Sequence, residues 1–169
     1  MDAFIEKIVQ KRRTPAELLM SAGIALASAI IAVVVTMVGI QYVGQIALVL
    51  SAAVIYLGYR FQTRFNIEFE YLVTNDSLDV DKIVSQRKRT RIFSSDCKSF
   101  DAVGKVHGHD LGPHLAEGAD VIFAGTNMAS LDLYFVLLNY KGKKTILYFE
   151  PDKRMLDSFR RYIPRKILS

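Results

Sequence analysis

Residues 18–59 contain no Asp, Glu, Lys, Arg or His, and no other feature limits the fold of this chain so tightly. A helix needs about 20 consecutive apolar residues to cross a bilayer, so this tract predicts two crossings joined by a tight turn. It is too long for a single core helix. The chain is 51% hydrophobic over 169 residues, with a mean hydropathy of +0.20. Both values exceed those of a small soluble domain, and the excess sits in this one tract. Lys7, Lys11, Arg12 and Arg13 precede the tract as they would in a secretory leader. The apolar core of a leader runs only about 7–15 residues, so the segment is expected to remain as an anchor.

Phe4, Ile5, Ile8 and Val9 fall at helical spacing among charged residues, and residues 1–14 are predicted as a cytoplasmic interfacial helix. Thr14, Pro15 and Glu17 form a capping-box pattern that starts the first membrane helix at Pro15. The hairpin is assigned to residues 15–60, with crossings over 18–38 and 45–59 and a turn over 39–44, where Gly39, Gln41 and Gly44 sit. Gly23, Ala25, Ser28, Ala29 and Ala32 on one helix and Ser51, Ala52 and Gly58 on the other allow close packing. Every Lys and Arg near the membrane lies on the terminal side and none on the turn, so both termini are expected in the cytoplasm, in a multi-pass protein of the cell membrane.

Beyond Arg64 the period becomes two. Phe65, Ile67, Phe69, Tyr71 and Val73 alternate with Asn66, Glu68 and Glu70, and Asn75-Asp76-Ser77 turns the chain. Further strands are predicted over 78–84, 86–93, 100–106, 119–126, 131–140 and 145–150, with a break at Ser94-Ser95-Asp96 and a Gly/Pro loop over 107–117. Met155, Leu156, Phe159 and Ile163 then form one apolar helical face, which Pro164 ends. The fold class is α+β: a transmembrane helical hairpin, then a cytoplasmic antiparallel β barrel or sandwich of about seven strands with a C-terminal amphipathic helix, over residues 65–169. No flexible linker separates the two, so the β domain is expected close to the membrane surface.

Seven strands and a closing helix follow the order of a pleckstrin-homology-like (PH-like) domain. The phrase from Tyr71 to Val80, the basic run Arg87-Lys88-Arg89-Thr90-Arg91-Ile92 and the ending Tyr148-Phe149-Glu150-Pro151 resemble bacterial membrane-anchored PH-like domains. The resemblance implies a fold and a location; that group has no established activity, so it implies no catalytic residue.

Two basic clusters are candidate contacts for anionic lipid headgroups or a protein partner: Arg87, Lys88, Arg89 and Arg91 on one strand, and Lys141, Lys143 and Lys144 in the last hairpin. Each cation near an anionic bilayer contributes about 1 kcal/mol. The plainer reading balances the strand against Glu68, Glu70, Asp79 and Asp81 across the ladder. His107, His109 and His114, with Asp110, are the weak metal-ligand candidates, in a loop where solvated histidines are commoner. Asp76, Asp79 and Asp81 lack calcium-loop spacing. Cys97, the sole cysteine, reads as structural. No phosphate loop or nucleophile elbow is present, so no enzyme and no cofactor are expected.

Net charge of +5 divides into 18 cations against 14 anions from Arg60 onward and four against three before Leu18, which excludes a nucleic-acid polycation. These features favour a membrane-proximal binding or adaptor module for a protein segment or anionic lipid, with a homo-oligomer as a further partner class. The alternatives are a metal-dependent enzyme or regulator built on the three histidines, and an accessory subunit of a larger membrane complex using Ser28, Ala32 and Gly58 as its contact.

Overall fold

The computed structural model describes residues 4–107 and 118–168. The chain divides into two compact units, one formed by the N-terminal residues through Arg12 together with the chain from Ile67 onward, the other spanning Arg13–Asn66.

The second unit is a helix pair. Helix α1 (Pro15–Val43) starts where the sequence predicts: the Thr14 hydroxyl accepts from Glu17 N and the Glu17 carboxylate accepts from Thr14 N. It does not end where predicted. The helix continues through Gly39 to Val43, and the turn is confined to Gly44 and Gln45 before α2 (Ile46–Gln62) begins. Gly39 serves the packing instead, since a Cβ there would lie 2.9 Å from that of Ala47. Gly58 plays the same part against Ser28, where an added Cβ would lie 2.6 Å away. Ser51 Oγ lies 2.7 Å from Thr36 Oγ1 and donates to Ala32 O and Ala47 O, so the polar groups between the helices satisfy one another. Helix α1, and α2 together with the 3-10 turn that continues it to Phe65, are long and apolar enough to span a membrane.

The first unit contains two four-stranded sheets among the described residues. Sheet one orders β1 (Phe4–Gln10), β2 (Ile67–Thr74), β3 (Ser77–Val84) and β4 (Lys88–Asp96), all antiparallel. Sheet two orders β5 (Phe100–Lys105), β7 (Tyr134–Tyr140), β8 (Lys143–Phe149) and β6 (Asp120–Phe123), and α3 (Lys153–Tyr162) follows.

Three expectations are corrected here. Residues 4–10 form a strand, not an interfacial helix, and they belong to the β unit. Phe4, Ile5, Ile8 and Val9 fit either period, and so short a helix is marginal alone. Pairing with β2 along seven residues supplies a full ladder and carries Val9 into the core. Secondly, the described residues hold eight strands, the N-terminal one in addition to those expected after Arg64, and β6 runs parallel to β8, so the unit is not wholly antiparallel. Lastly, Ser94–Asp96 extend β4 rather than breaking it, and a short 3-10 turn over Cys97–Ser99 leads to β5.

The tight connections follow local chemistry. Asn75 turns β2 into β3 at φ 53°, and Lys141 and Gly142 turn β7 into β8 at φ 53° and 83°. Inward-facing Tyr71, Val73, Leu78, Val80 and Phe93 of sheet one meet Phe100, Val103, Val136, Leu147 and Phe149 of sheet two, and Met155, Phe159 and Ile163 of α3 close the core. The Tyr71 hydroxyl donates to Ala124 O and accepts from Glu150 N, and Lys7 Nζ donates to Glu150 O at 2.8 Å. One tyrosine thus ties β2 to the ends of β6 and β8.

Candidate functional site

Strand β4 forms one edge of sheet one, paired on one side with β3. Its nine residues carry Lys88, Arg89 and Arg91, and Arg87 ends the preceding turn, all solvent-exposed. The cross-strand row Ile8, Glu70, Asp81, Arg91 lies on the face turned away from the core. Glu70 and Asp81 are buried on that face even so, with only 3% of each side exposed. The arginines account for it. Arg91 Nε lies 2.5 Å from Asp81 and its Nη1 2.6 Å from Asp79, while Arg89 Nη2 lies 2.6 Å from Glu70. Burial and a carboxyl hydrogen bond with Glu6 push the Glu70 pKa above the usual carboxylate range, against the pull of Arg89. Asp81 chiefly, with Asp79, holds the Arg91 guanidinium more firmly protonated than usual.

Cross-strand balance therefore accounts for Arg89 and Arg91. Arg87 and Lys88 carry no ion pair among the described residues. In the second cluster, Lys141 Nζ sits 5.0 Å from the Tyr140 ring, Lys143 reaches Asp120 at 3.7 Å, and Lys144 is exposed. The same Tyr140 ring packs on Phe93 of β4 with 5.0 Å between centroids. Tyr140, at the end of β7, therefore meets β4 at the core residue Phe93, and no contact links the lysines of this turn to Arg87–Arg91 among the described residues.

The opposite edge of the second sheet is treated differently. Val103 N donates to Lys166 O and Leu168 N donates to Val103 O, so the C-terminal segment pairs with β5 and caps it. No described residue pairs in this way with the outer edge of β4.

Comparison with known families matches residues 1–169 to the family described as Bacterial PH-like domain (DUF6106). The chain belongs to that family. No curated protein matches it, and no solved structure does. The resemblance carried by the Tyr71–Val80 phrase, the Arg-rich strand and the Tyr148–Pro151 ending is thereby upheld.

Elsewhere in this PH-like domain the remaining candidates fare unequally. His107 is exposed just after β5, whereas His109, Asp110 and His114 lie outside the described residues. Among the described residues no group of three or more His, Cys, Asp or Glu is gathered as a metal site. Asp76 pairs with Lys98 at 3.0 Å, which draws its pKa below the ordinary value. Cys97 is fully buried, and burial beside Asp76 and Asp96 pushes its thiol up to about 12, which disfavours the thiolate. Ser28, Ala32 and Gly58, expected as a contact for other subunits, are engaged between α1 and α2. Sequence reasoning missed the carboxyl pair of Glu6 and Glu70; strand alternation from residue 4 onward was the signal that would have found it.

Proposed function

We propose that this protein is a membrane-anchored binding module, not an enzyme: α1 and α2 cross the cell membrane as a hairpin, both termini lie in the cytoplasm, and the PH-like domain takes an extended protein segment along the outer edge of β4. The β4 edge, with which no described residue pairs, carries this reading. An exposed edge offers a row of backbone donors and acceptors, and strand addition is the recognition mode that uses them. The contrast with β5, whose edge the chain covers with its own C-terminal segment, supports it further.

Ion pairing favours a protein segment over a lipid surface. Arg89 and Arg91 are offset by Glu70, Asp79 and Asp81, and Glu68 adds another carboxylate to the same face. That leaves little excess positive potential for lipid headgroups, which attract cations at about 1 kcal/mol each. A peptide gains its affinity from the main chain instead, and Arg87 and Lys88 favour acidic side chains in it. Exposed apolar side chains on both helices, and a charge-free turn between them, support the hairpin orientation.

The test is purification in mild detergent, followed by amide hydrogen exchange on the protein with and without its co-purifying partner. Slowed exchange across Lys88–Asp96 in the complex is the expected result, together with loss of the partner in an Arg87→Ser/Lys88→Ser variant. A stable partner that leaves β4 exchange unchanged would rule out strand addition at this edge.

A further inference from the structure

Residues 121–131, which run from β6 into the loop before β7, contain no charged side chain, and the exposed Asp132 ends the stretch. The loop is held from within. Asn127 Oδ1 accepts from Ala129 N at 2.7 Å, Ser130 N donates to Asn127 O, and Leu133 N donates to Ser130 O. Its root is fastened to the sheet, since Thr126 N donates at 3.0 Å to the buried carboxylate of Glu150. Met128 is 55% exposed and Leu131 70% exposed.

The loop root has a definite neighbour. Arg12 N donates to Thr126 O at 2.9 Å, and Lys11 N donates to Ile67 O at the same distance. The two points where the chain passes between its units therefore leave the PH-like domain side by side, next to this loop. Only residues 13 and 14 separate Arg12 from the first residue of α1. Three residues of chain span at most about 10 Å. A bilayer interface is roughly 5–7 Å deep on each side, so the loop root lies within reach of it whenever α1 enters the membrane at its first turn.

We propose that the loop over residues 126–131 is a second membrane contact, inserting Met128 and Leu131 into the lipid interface; this rests on the reading that α1 and α2 cross the bilayer. The occupant is the bilayer surface rather than a soluble protein, because the covalent path from Arg12 to Pro15 keeps that surface within reach. Two apolar side chains on a pinned loop would restrict how the domain tilts on its short connections, which presents β4 in a limited range of orientations.

The experiment uses the full chain in phosphatidylcholine/phosphatidylglycerol vesicles, with an environment-sensitive fluorophore on single introduced cysteines: Met128→Cys, Leu131→Cys, Leu26→Cys on α1, and Lys144→Cys near the opposite end of β8. Buried Cys97 is left in place and unlabelled protein serves as the blank. Lipids carrying nitroxides at shallow and deep positions quench the probes. The result expected is strong deep quenching at Leu26, shallow quenching at Met128 and Leu131, and little at Lys144. Quenching at Leu26 with Met128 and Leu131 no different from Lys144 overturns the loop contact and leaves the anchor intact. Absence of quenching at Leu26 overturns the anchor reading itself. If the loop probes respond to the protein-to-lipid ratio but not to nitroxide lipids, a second copy covers the loop and the proposal fails.

Discussion

Tyr71, Phe93, Phe100, Phe135, Phe149 and Phe159 are fully buried in the PH-like domain, whereas the helix pair buries Ser21, Ala32, Ala47 and Ser51 and turns Leu19, Leu26, Met37 and Val49 outward. Water drives large apolar side chains together because each gains about 1.5–3 kcal/mol on burial. Hydrocarbon offers no such gain, so helices meeting in lipid are joined by close backbone approach and hydrogen bonds, which small residues permit. The two units read as folded for different solvents, and the inverted sorting of α1 and α2 is what supports placing them in a bilayer.

The sharpest way to break this contrast is to delete a large core side chain. Phe149→Ala is expected to cost the PH-like domain about 3–5 kcal/mol, whereas Leu26→Ala, on the outer face of α1, leaves that domain unchanged. Alkylation of Cys97 as a function of urea, on the full chain in micelles, reads both variants, since the thiol is reachable only when the domain opens. Equal effects from the two would mean that the units do not differ in solvent.

A second change attacks the helix pair through its small residues. Gly58→Leu should cost about 1–3 kcal/mol, because the first added carbon would already overlap Ser28. Spin labels at Leu19 and Tyr59 are expected to move apart and their distance distribution to broaden. An unchanged distance would show that the helices do not meet at this contact.

Smaller effects sharpen the picture on the outer face of sheet one. Arg91→Ala leaves the buried Asp81 carboxylate without its guanidinium, at a cost of about 1 kcal/mol once the solvent around Arg91 is discounted. Adding Asp81→Asn should recover part of that in the same urea measurement. Failure to recover would assign the loss to lost side-chain packing.

The smallest effect is a pH trend. Glu70 has its folded pKa raised above the ordinary value, first by burial and then by Glu6, so its stabilising contribution is present below the usual glutamate range and is lost as pH rises through the raised folded value. The stability of Glu70→Gln relative to the natural protein should therefore improve as pH increases from 4 to 7. A difference that is flat with pH would mean that Arg89 neutralises Glu70 fully.

Much of this was legible along the chain. The charge-free tract, the capping box at Thr14 and Glu17, the hairpins at Asn75 and at Lys141-Gly142, and the amphipathic helix beginning near Met155 all depend on neighbours within a few residues. What was not legible depends on distant partners. Residues 4–10 resemble a short helix until β2, some sixty positions later, offers a ladder. Gly39 looks like a turn residue until Ala47 packs on it.

Sequence alone thus determined which tract is apolar and free of charge along this chain, because hydropathy and charge act residue by residue. It also determined most strands after Arg64, because a period of two is itself a local record of a half-buried surface. Only the tertiary structure decided that the N-terminal segment completes a sheet and that β6 runs parallel to β8. It alone decided that Arg89 and Arg91 are engaged by carboxylates while no described residue pairs with the β4 edge beside them. Edge, register and ion pairing are properties of two strands at once, and no single stretch of sequence carries them.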